Sequence, residues 1–171
     1  MQKKQHKIIS VSKYNSDIHN YVFERLNTHD KEKLDKMPHD RMIHFIMGRY
    51  LMLKEGLDIS KITYNENNKP LIDGIYFSIS HSDEYTIFIC DKEEIGIDIE
   101  HIKKINDNIK LTFMKKLVSD YEFLVHMTRM ESYIKLNGYG LKNFADDVSD
   151  YDFETFKYKD YIITICKRKI K

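Results

Sequence analysis

Isoleucines alternate with glycine and carboxylates through "EEIGIDIEHIKK", residues 93–104. Period-two alternation is the pattern of a half-buried strand, with Ile95, Ile97 and Ile99 turned to a core and Gly96, Asp98 and Glu100 sharing an acidic, bare face. Elsewhere the pattern predicts a first strand at "KIISVS" (7–12). A helix follows Pro38, because Ile43, Ile46, Met47, Tyr50 and Leu53 recur at helical spacing and Gly56 stops it. Gly48 inside that helix costs about 1 kcal/mol against alanine, which suits a close packing contact. "NENNKPLIDG" is turn chemistry. "IYFSIS" and "YTIFIC" read as an antiparallel pair that runs through "DKEE" into the acidic strand, so three consecutive strands form a meander.

Further on, Ile109, Phe113, Met114, Leu117, Tyr121 and Leu124 suggest one helix. A second is expected from near Thr128 to the stops at Gly138 and Gly140. "FETFKYK" and "YIITICK" close the chain as a hairpin. The order predicts an α+β fold of two similar halves, 1–92 and 93–171, each a small antiparallel sheet with helix and with no linker between them.

The chain has 171 residues, enough for one domain or two small halves with a real core. Its 28 Lys plus Arg against 27 Asp plus Glu leave a net charge of +1, and this balance gives no general pull toward nucleic acid. "MQKKQHKIIS" has charge but no apolar stretch that would export it, and nothing approaches a membrane span, so a cytoplasmic protein is expected. Cys90 and Cys166 both end strand-like runs, where a thiol acts as a small apolar residue, and neither a disulfide nor thiol catalysis is expected.

Candidate chemistry starts at the acidic strand. Two carboxylates on one strand face repel each other, and a solvated edge strand bearing charges against edge-to-edge pairing accounts for them. A divalent cation does so as well, since Mg²⁺ binds through one or two carboxylates plus substrate phosphates, and Gly96 lets a bulky ligand approach the backbone. In "TRMESYIKLNGYGL" (128–141), Glu131 and Lys135 are four apart, the spacing of an ordinary exposed ion pair. Thr128 with Glu131 also fits a capping box, the account the local sequence favours for Glu131. Ser80, His81 and Ser82 cluster hydrogen-bonding groups at a strand end, where an anion can be held, and Lys69 adds a cation before Pro70.

In order, "GRYLML", "NENNKPLI", "YFSISHS", "IGIDIE" and "TRMESYIKLNGYGL" resemble in sequence and spacing the 4'-phosphopantetheinyl transferases, specifically the type that activates surfactin synthetase. The matches span residues 40–141. The resemblance implies an enzyme that moves the phosphopantetheine arm of coenzyme A onto a serine of an apo acyl or peptidyl carrier protein, releasing 3',5'-adenosine diphosphate. It implies two pseudo-symmetric halves with the active site between them, and hence a monomer. Asp98, Glu100 and Glu131 would hold Mg²⁺ against the diphosphate, Lys135 would add a cation, and Glu131 would also act on the serine proton. Ser80 and His81 would grip the nucleotide end with Lys69 beside them, and Arg41 would reach the 3'-phosphate.

The chain departs from the family at three positions. Met127 stands where the family has Trp or Phe, Met130 where it has Lys, and Tyr139 where it often carries a second basic residue. The segment between the acidic strand and the second helix is short. Met130 and the shortness of the chain for the family motivate an alternative, a degenerate relative that binds coenzyme A or a carrier without transfer. A third reading is a metal-independent interaction module whose acidic strand only discourages aggregation.

Overall fold

The computed structural model of the chain describes residues 6–138 and 148–169. Strand β1 (Lys7–Ser10) leads into a short 3-10 turn. Two helices follow in a stretch where the apolar pattern is weak, α1 (Ser16–Phe23) and α2 (Thr28–Leu34). Their starts are set by polar capping: Asn15 Oδ1 accepts from the Ile18 amide, and Asn27 Oδ1 from that of Asp30. Helix α3 (His39–Lys54) begins behind Pro38 as expected, and Gly56 ends it at φ +78°. Gly48 faces strand β4 (Tyr76–Ser82), where a Cβ would stand 3.2 Å from Ile79 Cγ2. Between them β2 (Thr63–Tyr64) and β3 (Pro70–Leu71) pair as a small hairpin.

Strand β5 (Tyr85–Asp91) pairs with β4 on one edge and with β1 on the other. That second pairing overturns the meander. With both edges of β5 taken, β6 (Ile95–His101) opens a second sheet, in the order β6-β8-β7, with the closing hairpin β7 (Tyr151–Tyr158) and β8 (Tyr161–Arg168). The architecture is thus α+β, built of small antiparallel sheets and helices. Ile87 and Ile89 meet Ile95, Ile97, Ile99, Ile163 and Ile165 in one apolar cluster between the sheets. On the outer faces, Phe77 and Phe88 pack toward α1–α3, while Ile162 and Cys166 meet the apolar side of α5 (Asp120–Asn137).

The expected helix over 109–124 is broken. Helix α4 (Asp107–Met114) ends where Lys115 adopts φ +55°, and α5 starts at a capping box in which Ser119 and Glu122 satisfy each other's backbone amides. Ile109, Phe113, Leu117 and Tyr121, read as part of one helix, are exposed. Helix α5 therefore begins eight residues before Thr128, which is buried at mid-helix with its hydroxyl on the Val125 carbonyl and on Thr164 Oγ1. Gly138 closes α5 at φ +68°, and the expected stop at Gly140 lies outside the described residues.

Gly96 is required by this helix rather than by a ligand. A Cβ there would lie 1.9 Å from the Ser132 carbonyl oxygen and 2.8 Å from the Leu136 amide nitrogen, both backbone atoms that cannot turn aside. Replacing Gly96 by alanine is expected to cost about 3 kcal/mol, the upper range for overpacking, which lowers Tm by roughly 6–12 °C for a chain of this size. Gly48→Ala, which meets side-chain methyls of Ile79 at 3.2 Å and Thr86 at 3.8 Å and no other backbone, should cost under about 1 kcal/mol. Thermal denaturation of the two variants side by side checks the contrast; equal losses would exclude the helix contact as the reason for Gly96.

Candidate functional site

Strand alternation turns Ile95, Ile97 and Ile99 into the inter-sheet core, so Gly96, Asp98 and Glu100 face α5. That face is not bare. Asp98 is 3% exposed, so the exposed edge-charge account of the acidic strand does not hold for it. Its Oδ1 accepts from Ser80 Oγ at 2.7 Å and from Lys135 Nζ at 2.5 Å, and Lys135 Nζ also donates to Ser80 Oγ at 2.7 Å. Lys135 thus reaches across to β6. Its ion pair is with Asp98, not the surface pair with Glu131 that the four-residue spacing suggests. Asp98 Oδ2 is buried and, among the described residues, accepts no hydrogen bond. A buried acceptor without a partner costs roughly 1–3 kcal/mol, more when charged, so this oxygen calls for a cation or donor.

Glu100 and Glu131 flank that oxygen electrostatically. Both are half-buried. Burial pushes the Glu100 carboxyl above its ordinary range, and the Asp98 charge pushes it the same way while Ser82, Lys103 and Lys135 pull back. Glu131 is raised by burial first; Lys135 lowers it and Asp98 raises it. The capping account of Glu131 fails because the helix start belongs to Ser119 and Glu122. As placed, no three His, Cys, Asp or Glu side chains among the described residues close around one point as a complete metal site. The donor set nevertheless suits a hard divalent cation: three carboxylates, two of them held back from ionising by burial and like charge, beside an unsatisfied carboxylate oxygen.

Three serines at alternate positions of β4 hold the edges of the two sheets together. Ser78 Oγ accepts from the Ile97 amide at 3.1 Å, and Ser82 Oγ accepts from the His101 amide at 3.1 Å while donating to Glu100 Oε2 at 3.2 Å. Ser80, expected to grip a nucleotide, stands between them on Asp98. Lys69 donates to the Leu136 carbonyl at 2.7 Å and Asn67 Nδ2 to that of Gly138 at 3.0 Å, so the β2–β3 loop caps the end of α5. Burial lowers the Lys69 ammonium pKa.

A cleft runs from this cluster in two parts. One, of about 270 Å³, is lined by Lys69, Ser78, Lys135 and Gly138 among others; the next, of about 360 Å³, by Lys33, Arg41, His44, Arg49, Tyr64 and His81 among others. Asn68, Pro70 and Ile79 border both. The structure therefore brings Asp98, Ser80 and Lys135 into direct contact, sets Glu100 and Glu131 beside them, and places Lys69, Arg41 and His81 along the same cleft. His81 lies within β4 rather than in the turn after it.

Sequence reasoning missed His44, which stacks on His81, and the hydrogen-bonded trio of buried Asp30 and Arg49 with half-buried Tyr64 at the second cavity. A signal existed for His44 in its place three residues after Arg41 on one helix face. Met127 packs with Phe123, Leu124 and Ile162, which gives it a core role. Met130 lines a separate cavity with His126, Arg129 and Phe153. Tyr139 lies outside the described residues.

No family model matches the chain. It is 35% identical over 91 residues to the 4'-phosphopantetheinyl transferase gsp of Aneurinibacillus migulanus, a match covering 45% of this chain and 38% of that protein. It is 31% identical over 122 residues to the 4'-phosphopantetheinyl transferase Sfp of Bacillus subtilis strain 168, covering 64% and 54%. The ffp protein of Bacillus subtilis, of the same name, matches at 31% over 115 residues, covering 61% and 51%. The chain thus spans about half the length, or less, of the curated relatives it matches.

The raised carboxyls carry a stability consequence. A carboxyl whose folded pKa stands above its ordinary 4.5 ionises more easily in the unfolded chain, so its contribution falls as pH rises from about 4.5 through the folded value and stays lost above it. Glu100→Gln or Glu131→Gln should therefore raise Tm at pH 7.5 without divalent cation, by on the order of 2 °C, and the gain should vanish below pH 4. Addition of Mg²⁺ should stabilise the unsubstituted protein and leave Asp98→Ala unmoved. Thermal scans across pH check both; a gain independent of pH would mean that the carboxylate charge is not strained.

Proposed function

We propose that this chain, 30–35% identical to four 4'-phosphopantetheinyl transferases over the matched parts, moves the phosphopantetheine arm of coenzyme A onto a serine of an apo acyl or peptidyl carrier protein. The observation that supports this most is the buried Asp98: one oxygen is held by Ser80 and Lys135, the other is without a partner, and two raised carboxyls stand beside it. Such a site suits a diphosphate bound through a divalent cation. In this reading Asp98, Glu100 and Glu131 hold Mg²⁺, whose chemistry is to neutralise the diphosphate and stabilise charge on its leaving oxygen. We take the two halves, 1–92 and 93–171, as pseudo-symmetric partners within a cytoplasmic monomer, with the site at their junction.

The chain's own groups have defined tasks. Lys135, anchored by Asp98 and Ser80, presents its ammonium to the phosphoryl oxygens. The serine hydroxyl oxygen bonds to the phosphorus that carries the pantetheine arm, the bond to the bridging oxygen breaks, and 3',5'-adenosine diphosphate leaves with the bonding pair. Glu131 accepts the hydroxyl proton. A carboxyl raised by burial suits that task, because a base works best with its pKa near the operating pH. Arg41, Lys69 and His81 line the cleft where the nucleotide end lies.

Intact-mass spectrometry of a promiscuous apo carrier, incubated with coenzyme A, Mg²⁺ and the protein, tests the reading. The carrier should gain one phosphopantetheine arm, and Asp98→Ala and Lys135→Ala should each lower the rate by about 10²–10³-fold with the fold intact. Met130, where the family has lysine, favours one alternative, the degenerate binder; coenzyme A binding without transfer to several carriers would establish it. Absence of both transfer and binding would leave the interaction module.

A further inference from the structure

Alternate serines of β4 meet alternate residues of β6 at a constant offset along the chain. Ser80 Oγ donates to Asp98 Oδ1 at 2.7 Å and Ser82 Oγ to Glu100 Oε2 at 3.2 Å, each pair 18 residues apart. The same offset from Ser78 arrives at Gly96, which has no side chain to receive a proton. Ser78 Oγ accepts the Ile97 amide at 3.1 Å and Ser82 Oγ the His101 amide at 3.1 Å, so these two hydroxyls share one task at the seam between the sheets. Ser82 adds a carboxylate to that task.

The two serine–carboxylate pairs have one feature in common. Each hydroxyl commits one carboxylate oxygen, Oδ1 of Asp98 and Oε2 of Glu100, and leaves the second out of the contact. For Asp98 that second oxygen is buried and, among the described residues, has no partner. Ser82 is itself held in place: its oxygen is occupied by the His101 amide, and at 7% exposure little water competes for its proton.

Glu100 needs such a hold. Its side chain has three torsions, the Asp98 charge repels it from the same strand face, and Lys103 and Lys135 attract it from different elements. Released from Ser82, the carboxylate would swing away from Asp98 toward the exposed Lys103. We infer that Ser82 is a positioning residue of a divalent-cation site: its hydroxyl pins Glu100 Oε2 so that the carboxylate stays beside Asp98 and offers Oε1 to the ion. Carboxylates that bind metals are themselves hydrogen-bonded by outer partners, and losing such a partner typically weakens metal binding 10–100-fold. The inference rests on reading Asp98, Glu100 and Glu131 as the carboxylates of one cation.

Binding of Mn²⁺ alone to the full chain, followed through the loss of its free-ion electron paramagnetic resonance signal, tests this without any need for turnover. The unsubstituted protein should bind an ion that Mg²⁺ displaces and that Asp98→Ala does not hold. Ser82→Ala should weaken this binding about tenfold. Ser78→Ala, which loses the matching amide contact at the seam, should leave the affinity for Mn²⁺ unchanged, and thermal denaturation in chelator should show both serine variants folded and similarly destabilised. A double-mutant cycle isolates the contact: once Glu100→Gln has removed the carboxylate, Ser82→Ala should add no further loss of affinity. Unchanged affinity in Ser82→Ala, equal weakening by Ser78→Ala, or additive losses in the cycle would each overturn the inference and leave the cation reading standing. Absence of any ion that depends on Asp98 would overturn both.

Discussion

Everything in the site depends on how the edges of two sheets meet. Strand β4 ends the first sheet and β6 begins the second, and among the described residues the two lie together without a backbone ladder. Serine hydroxyls take its place: Ser78 and Ser82 receive amide hydrogens of β6, and Ser80 gives its proton to Asp98. A backbone ladder would have set the strands about 4.8 Å apart and closed the gap. Side chains as spacers leave room beside β4 for the carboxylates of β6, and each hydroxyl satisfies a group that would otherwise be buried alone.

Around that seam the two sides of the chain contribute unlike parts. From β6 and α5 come the acidic groups and Lys135; from α3 and β4 come Arg41, His44 and His81. Close approach of α5 to β6 depends on the missing side chain at Gly96, and this contact carries Glu131 and Lys135 toward Asp98. Charge is therefore concentrated where backbone packing is tightest. Burial first, and neighbouring charges after it, raise the carboxyls of Glu100 and Glu131, because burial removes solvation faster than one lysine restores it.

Period-two alternation at 95–100, the helix behind Pro38 and the closing hairpin were legible because each is local and strongly patterned. The site residues on β6 and α5 were legible through their order along the chain, carried by the resemblance. Sheet membership was not, since the competition of β1 for the free edge of β5 depends on residues nearly eighty positions apart. The stop at Lys115 was hidden because a lysine at positive φ has no sequence signature. By contrast, Ser119 with Glu122 was a readable helix start that the apolar residues on either side of it obscured. Glu131 shows the cost of a short window: Thr128 made it look like a cap, and only the true helix start three turns earlier frees it to interact with Asp98 and Lys135.

The cap on α5 makes the cleft a ruler. With the Leu136 carbonyl held by Lys69 and that of Gly138 by Asn67, α5 cannot slide along its axis without tearing the β2–β3 loop away. The same loop borders both cavities through Asn68 and Pro70. Span between the cationic cavity and the Asp98 cluster is thus set by the backbone, and a molecule reaching both must match that length.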